Sequence, residues 1–277
     1  MNDHVAGKSI VITGAGGGFG ELVARKAAAR GARVTLGDVN IDGAEWVAAQ
    51  IREAGGEALA RQVDVTDLDA VKALVADAVS AFGQVDVMIN NAGLMPLAFF
   101  SDHEAAHLAW HRAIDVNIKG VLNGMIAAHD PMMERGSGQI VNVSSIYGNF
   151  PVVGAAVYGA TKAAVNFLSE SFRVETRGKI KVSVVKPTGV PGTGLTGSVI
   201  NRAAGVGIVG QNAGELAGML LAIEEGKGEH LMDPEGISYA RLSPDYIAEA
   251  ILHVIDQPLG VSIGDITVRA AGDQFIL

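Results

Sequence analysis

The chain has 277 residues, 49% apolar and 18% charged, which is long enough to bury one large core. A net charge of −9 without a basic patch speaks against nucleic-acid binding, and the lack of cysteine excludes disulfides, zinc–cysteine sites and thiol catalysis. No apolar run reaches the roughly 18 residues of a membrane span, and Met1-Asn2-Asp3-His4 has none of the features of a signal peptide, so a cytoplasmic protein is expected.

In chain order, Lys8 to Thr13 reads as a short apolar strand, followed at once by a glycine turn and a helix over 21–30. Arg33 to Gly37 is a second strand ending in Asp38; a helix over 43–54 and a strand over 58–63, running into Asp64, come next. Apolar residues at helical spacing cover 68–82, and Val85 to Asn90 is a buried strand. Two separate helices, 103–114 and 118–134, precede a strand over 138–144, a long helix over 156–177 and a strand over 180–186. Strands alternating with helices predict a parallel sheet with both faces covered, hence strands apolar throughout.

Beyond Lys186 the pattern loosens. Residues 187–197 hold four glycines and two prolines, which predicts an irregular loop. A helix apolar nearly all round covers 215–225. Another covers 243–256, with Ser243 as its cap and Pro244 at its first position, and a strand over 264–269 closes the pattern. No linker splits the chain, so one α/β domain spanning 1–277 is expected: a core over 8–187, a covering loop and helices over 188–242, and a final helix and strand over 243–277.

The glycine turn, with Gly14, Gly16, Gly17, Gly18, Phe19 and Gly20, sits between a strand and a helix. There the backbone comes close to a pyrophosphate, and the helix N-terminus supplies N–H donors. Asp38, closing the second strand, has the spacing of an acid that binds a ribose hydroxyl pair and repels a 2′-phosphate. No basic residue in 15–17 or at Val39-Asn40 is available to pair with such a phosphate, so NAD is expected over NADP.

Tyr158 and Lys162, four apart, lie on one helix face just after the serine-rich strand end Asn142-Val143-Ser144-Ser145. A tyrosine hydroxyl titrates near pH 10 unless something favours the phenolate. A lysine ammonium one turn away and a positive nicotinamide ring are expected to lower that value, making Tyr158 an acid/base.

These motifs together resemble the short-chain dehydrogenase/reductase family, from Lys8 to about Lys186 and more weakly beyond. They are Thr13 to Gly20, Asp64-Val65, Asn90-Asn91-Ala92-Gly93, Asn117, Ser145, Tyr158 and Lys162. The resemblance implies a Rossmann-type, doubly wound parallel sheet with a substrate-covering insertion. It implies Asp64 and Val65 beside the adenine, and Asn91, Ala92 and Gly93 along the adenosine ribose, with Val39 following Asp38 at the same end. Ser145 would bond the reacting oxygen, Lys162 would also hold the nicotinamide ribose, and Asn117 would anchor a water leading to solvent. Ser144 competes with Ser145 on sequence alone, and Asn90 is expected to tie strands together.

Two departures stand out. Phe19 replaces an aliphatic residue, and the family's Pro-Gly is Pro187-Thr188 here. Val190 keeps the spacing of a nicotinamide contact, whereas Thr193 falls one residue late for the threonine that binds the carboxamide. A homotetramer or homodimer through helices 118–134 and 156–177 also follows from the resemblance.

Between 188 and 240 the only lysine or arginine residues are Arg202 and Lys227, and Met95, Leu97, Phe99 and Phe100 add apolar surface. An uncharged, bulky, apolar alcohol or ketone is therefore the expected substrate, under a lid hinged at Gly205, Gly207 and Gly210. Tyr147 either walls that pocket or simply packs. His103, His107 and His111 form a helix-face stripe without carboxylate support, and no metal site is expected. Besides a secondary alcohol dehydrogenase, two readings stay open: an epimerase or other enzyme without net redox change that holds NAD, and a non-catalytic NAD-binding regulator.

Overall fold

Runs such as Ser9-Ile-Val-Ile-Thr13 are buried from end to end, the behaviour of strands covered on both faces. The computed structural model describes residues 3–276; Met1 and Asn2, part of the signal-peptide reading, and Leu277 lie outside the described residues. Seven strands, β1 (Ser9–Thr13), β2 (Arg33–Asp38), β3 (Glu57–Gln62), β4 (Val87–Asn90), β5 (Gly138–Val143), β6 (Ile180–Pro187) and β7 (Asp265–Val268), make one sheet. Their order is β3-β2-β1-β4-β5-β6-β7, with every pairing parallel.

Alternation along each strand sends its side chains to two separate cores. Ile10 and Ile12 of β1 join the layer formed by α1 (Gly18–Ala29), α2 (Ile41–Glu53) and α8 (Pro244–Ile255). Val11 joins the opposite layer with α3 (Leu68–Phe82), α5 (Gly120–Arg135) and α6 (Ala156–Glu175). Caps follow the sequence: Asn40 accepts from the Gly43 N–H, Asp67 from those of Asp69 and Ala70, and Ser243 from that of Asp245.

Three elements differ from expectation. Helix α1 begins at Gly18, because the last residues of the glycine turn already form its first helical turn. The two helices expected over 103–134 are one continuous run. α4 (His103–Ile114) passes through a π turn, Asp115–Lys119, directly into α5, since no breaker lies between them. The region after β6 carries four short 3₁₀ turns besides α7 (Ala213–Glu224), which buries none of its residues. No single helix among the described residues is long and apolar enough to cross a membrane, although the bent pair 202–208 and 210–224 passes by composition.

Candidate active site

The carboxyl ends of β1, β2, β4, β5 and β6 open into a cleft of ≈ 600 Å³. It lies where the strand order reverses beside β1, the usual ligand position in such sheets. Gly14 turns there with φ +67°, and an added Cβ would stand 2.8 Å from the Ala92 Cα, so a side chain at 14 would drive the turn off β4. Asn91 pins the same contact from the other side. Its amide donates to the carbonyls of Thr13 (3.0 Å) and Gly14 (2.9 Å), so its side chain serves to hold the turn.

Asp38 closes β2 beside that turn. Its Oδ2 accepts the Gly16 N–H at 2.8 Å and its Oδ1 the Asn40 N–H at 2.8 Å. A Cβ at Gly16 would come within 3.0 Å of the Asp38 Cγ, so the glycine is what lets the carboxylate reach the turn. An ionised carboxylate has about four acceptor sites, and two remain for hydroxyl donors.

Opposite the turn, Ser144 and Ser145 follow β5, and the first face of α6 carries Tyr158 and Lys162, both almost fully buried. Lys162 Nζ donates to the Val143 carbonyl at 2.9 Å, and the ammonium lies 5.9 Å from the centre of the Tyr158 ring. Ser145 stands near enough to the Tyr158 hydroxyl to favour its phenolate, and its hydroxyl accepts the Tyr147 N–H at 3.3 Å. The Ser144 hydroxyl instead donates to the Lys162 carbonyl at 3.2 Å, which commits it to holding α6 against β5. Geometry thus separates the two serines that the sequence left in competition.

The electrostatics run opposite to the sequence expectation for the chain by itself. Burial pushes Tyr158 up to about 12, against a smaller lowering from Ser145, and pushes Lys162 down to about 8. Each side chain's own desolvation is the reason: burial favours the neutral form of both the phenol and the amine. Tyr147, edge-on to Tyr158 at 5.5 Å, is raised as well by burial and by that neighbour.

Asn117 sits in the π turn, fully buried. Its Oδ1 accepts the Leu94 N–H at 2.8 Å, and its Nδ2 donates to the Leu94 carbonyl (2.9 Å) and to Thr161 Oγ1 (3.0 Å). The side-chain amide thereby joins the segment after β4 to α6. Asn90 donates to Asn142 across the β4–β5 pair at 2.8 Å, the strand tie expected of it.

Among the residues singled out from sequence, Gly14, Gly16, Gly17, Gly18, Phe19, Asp38, Asn91, Ala92, Gly93, Ser145, Tyr158, Lys162, Pro187, Val190 and Thr193 line the cleft. Gly20, Val39, Asp64, Val65 and Asn117 do not. Gly20 packs behind the turn, and Val39 is exposed. Asp64 binds Arg112 Nη2 (2.9 Å) and both donors of Thr66; burial alone would raise its pKa, and these bonds outweigh it and hold it low. Val65 is buried, and its carbonyl accepts from Asn123. Leu195, Thr196, Ile208 and Phe275 line the cleft without having been anticipated.

The outer end of the cleft is roofed by the segment after β6. Met95 N donates to Ser198 Oγ at 2.8 Å, and the N–H groups of Ile200 and Asn201 reach the Leu97 carbonyl. Among the described residues no group of histidine, aspartate and glutamate side chains has the arrangement of a metal site.

Comparison with known proteins agrees with this geometry. The short chain dehydrogenase family profile matches residues 8–204. The 2,5-dichloro-2,5-cyclohexadiene-1,4-diol dehydrogenase LinX of Sphingobium indicum is 37% identical over 201 residues, 72% of this chain and 79% of its own. The cis-4-hydroxycyclohexanecarboxylate dehydrogenase of Sinomonas cyclohexanicum is 41% identical over 189 residues, 68% and 75% of the two chains. A solved 7α-hydroxysteroid dehydrogenase complexed with NADH and 7-oxo glycochenodeoxycholic acid superposes with a TM-score of 0.78 at 26% identity, covering 99% of this chain and 97% of that one. Other solved neighbours hold NADP or NAD. With its all-parallel sheet, glycine turn and Ser145–Tyr158–Lys162 cluster, the chain belongs to the short-chain dehydrogenase family of oxidoreductases.

Proposed function

We propose that this chain transfers hydride between NAD(H) and an uncharged, apolar, ring-bearing secondary alcohol or ketone. The observation that carries this reading is the meeting of Ser145, Tyr158 and Lys162 on one wall of a cleft whose other wall is the glycine turn.

The cleft suits a dinucleotide. A close-approach turn at a helix N-terminus lies beside a carboxylate with acceptor sites to spare, and the Lys162 ammonium has two donors left after Val143. Asp38 would hold the adenosine ribose, the turn the pyrophosphate, and Lys162 the second ribose. NAD⁺, when bound, would supply the hydride acceptor and a positive charge that favours the Tyr158 phenolate. An aspartate at this place repels a 2′-phosphate, which supports NAD over NADP.

At pH 7 the Tyr158 hydroxyl keeps its proton and Lys162 is mostly charged. That state suits ketone reduction: Tyr158 would give its proton to the carbonyl oxygen, and the Ser145 hydroxyl would hold the same oxygen. In the oxidative direction Tyr158 must first be a phenolate, its charge offset by the Lys162 ammonium; it then takes the alcohol proton and becomes the neutral phenol.

Apolar Met95, Val190, Leu195, Ile208 and Phe275 line the substrate end. Two relatives named for oxidising ring alcohols support a cyclic substrate. We read the chain as one cytoplasmic domain, with a core over 8–187, a covering segment over 188–242 and a closing helix and strand beyond it. Exposed Leu122 and Ile126 on α5 and Phe167 and Val174 on α6 support assembly as a homotetramer or homodimer through those helices.

The test is NADH absorbance during a screen of cyclic ketones with NADH and cyclic alcohols with NAD⁺, with Tyr158→Phe alongside. Turnover lost by at least about 10²-fold in the variant, with NADH binding kept, is the expected result. Equal activity in Tyr158→Phe sinks the mechanism, and turnover of substrate without net NADH change points to the epimerase reading.

A further inference from the structure

We infer that Phe275 is a specificity-determining residue, held over the substrate end of the cleft by an Arg269–Asp273 hook; the inference rests on the function proposed above. Residues 269–276 follow β7 and fold back over the covering segment. The Arg269 guanidinium binds the Asp273 carboxylate through two nitrogens, Nε at 2.9 Å and Nη2 at 2.5 Å. The Asp273 side chain is 4% exposed and that of Arg269 40%, and the two parallel bonds fix their mutual orientation.

The hook grips the backbone of Phe275 on both sides. Asp273 Oδ1 accepts its N–H at 3.1 Å, and Arg269 Nη2 donates to its carbonyl at 3.0 Å. Two further bonds clasp the same segment to the roof: Ile276 N–H to the Ile208 carbonyl (3.0 Å) and Asn212 Nδ2 to the Gln274 carbonyl (3.0 Å). With its main chain fixed, the Phe275 ring packs in the cluster of Ile146, Tyr147, Ile208 and Val209 and faces the cleft.

Gly189 makes room for it. Its φ is +51°, and a Cβ there would overlap the Phe275 ring. The ring therefore stands against the loop that follows the sixth strand and packs on the same apolar cluster as Tyr147. A rigid aromatic wall at that point limits how far a ring substrate extends from its reacting carbon. Hooked main chain and packed ring together make it a size gauge rather than a flexible flap.

The test uses the whole chain with NADH and the series cyclohexanone, 4-methylcyclohexanone, 4-tert-butylcyclohexanone and 2-decalone. Both NADH oxidation and binding to the NADH-bound protein by thermal shift are measured. In Phe275→Ala the kcat/KM ratio of 2-decalone to cyclohexanone should rise by about tenfold or more, with NADH affinity unchanged. Phe275→Leu should fall between it and the wild type. Asp273→Ala should shift the ratio the same way although the ring is still present, because the hook is gone.

Ketones that bind the wild type without oxidising NADH overturn the hydride reading, and the order of binding by size then decides Phe275 by itself. An unchanged size order in Phe275→Ala, a loss of NADH affinity in parallel, or a wild type that neither binds nor reduces any member overturns the assignment.

Discussion

Replacing Lys162 by methionine tests the electrostatics on which the site rests. Burial lowers the lysine from 10.5 to about 8. At about 1.4 kcal/mol per pH unit, holding it charged at neutral pH costs the folded state about 3 kcal/mol. Methionine fills similar space without charge but leaves the Val143 carbonyl without its 2.9 Å donor, a loss of about 1 kcal/mol. Lys162→Met should therefore be inactive yet more stable by about 2 kcal/mol at pH 7, some 4–8 °C in Tm at about 2–4 °C per kcal/mol.

The pH dependence fixes the sign. Below pH 8 the lysine is charged in both states and the folded protein bears the whole penalty. Between 8 and 10.5 the unfolded chain binds more protons than the folded one, so the wild type gains stability as pH rises and the variant's advantage shrinks. Tyr158, raised to about 12, acts the other way only above pH 10, so melts of both proteins from pH 6 to 9.5 isolate the lysine. A variant less stable than the wild type at pH 7, or a gap in Tm that does not narrow above pH 8, refutes the reasoning.

The two serines should separate cleanly. Ser145→Ala should lower kcat by about 10²-fold with little change in Tm. Ser144→Ala, which loses the 3.2 Å bond to the Lys162 carbonyl, should cost about 1 kcal/mol of stability and leave kcat within about threefold; the reverse pattern in paired kinetics and melts would exchange their roles. Asp38→Ala removes the acceptor of the Gly16 and Asn40 N–H groups, so KM for NADH should rise by about tenfold or more and the preference over NADPH should narrow. An unchanged ratio of kcat/KM for the two cofactors would remove Asp38 from cofactor choice.

The glycine-turn half of the cleft was legible in the sequence because its spacings are local. The glycine turn, Asp38, and the Tyr158/Lys162 pair are each a short spacing on an element with a clear period, and the sheet order brings their strand ends together. What spacing did not convey is which partner each polar group takes. Asn91 spends its amide on backbone, Asn117 on backbone and the Thr161 hydroxyl, and Asp64 turns to Arg112, a residue 48 positions away on α4. Desolvation was equally hidden: Lys162 reads as a charge one turn from Tyr158, and only its burial shows that the charge is costly to keep.

The substrate end was illegible for a different reason. Its wall joins Met95, Tyr147, Ile208 and Phe275, four segments with no common period, and the ring of Phe275 reaches the cleft only because Gly189, 86 positions earlier, lacks a side chain. A pattern 269-Arg-Ala-Ala-Gly-Asp-Gln-Phe-275 carries no signal of its own until the Arg269–Asp273 pair is seen to grip Phe275 from both sides. The glycine turn is held by the sheet and would tolerate change in that hook, whereas the substrate wall would not. Substitutions within 269–276 should therefore move substrate choice while leaving NADH affinity in place, and a variant there that altered both together would mean that the two halves of the cleft are one mechanical unit.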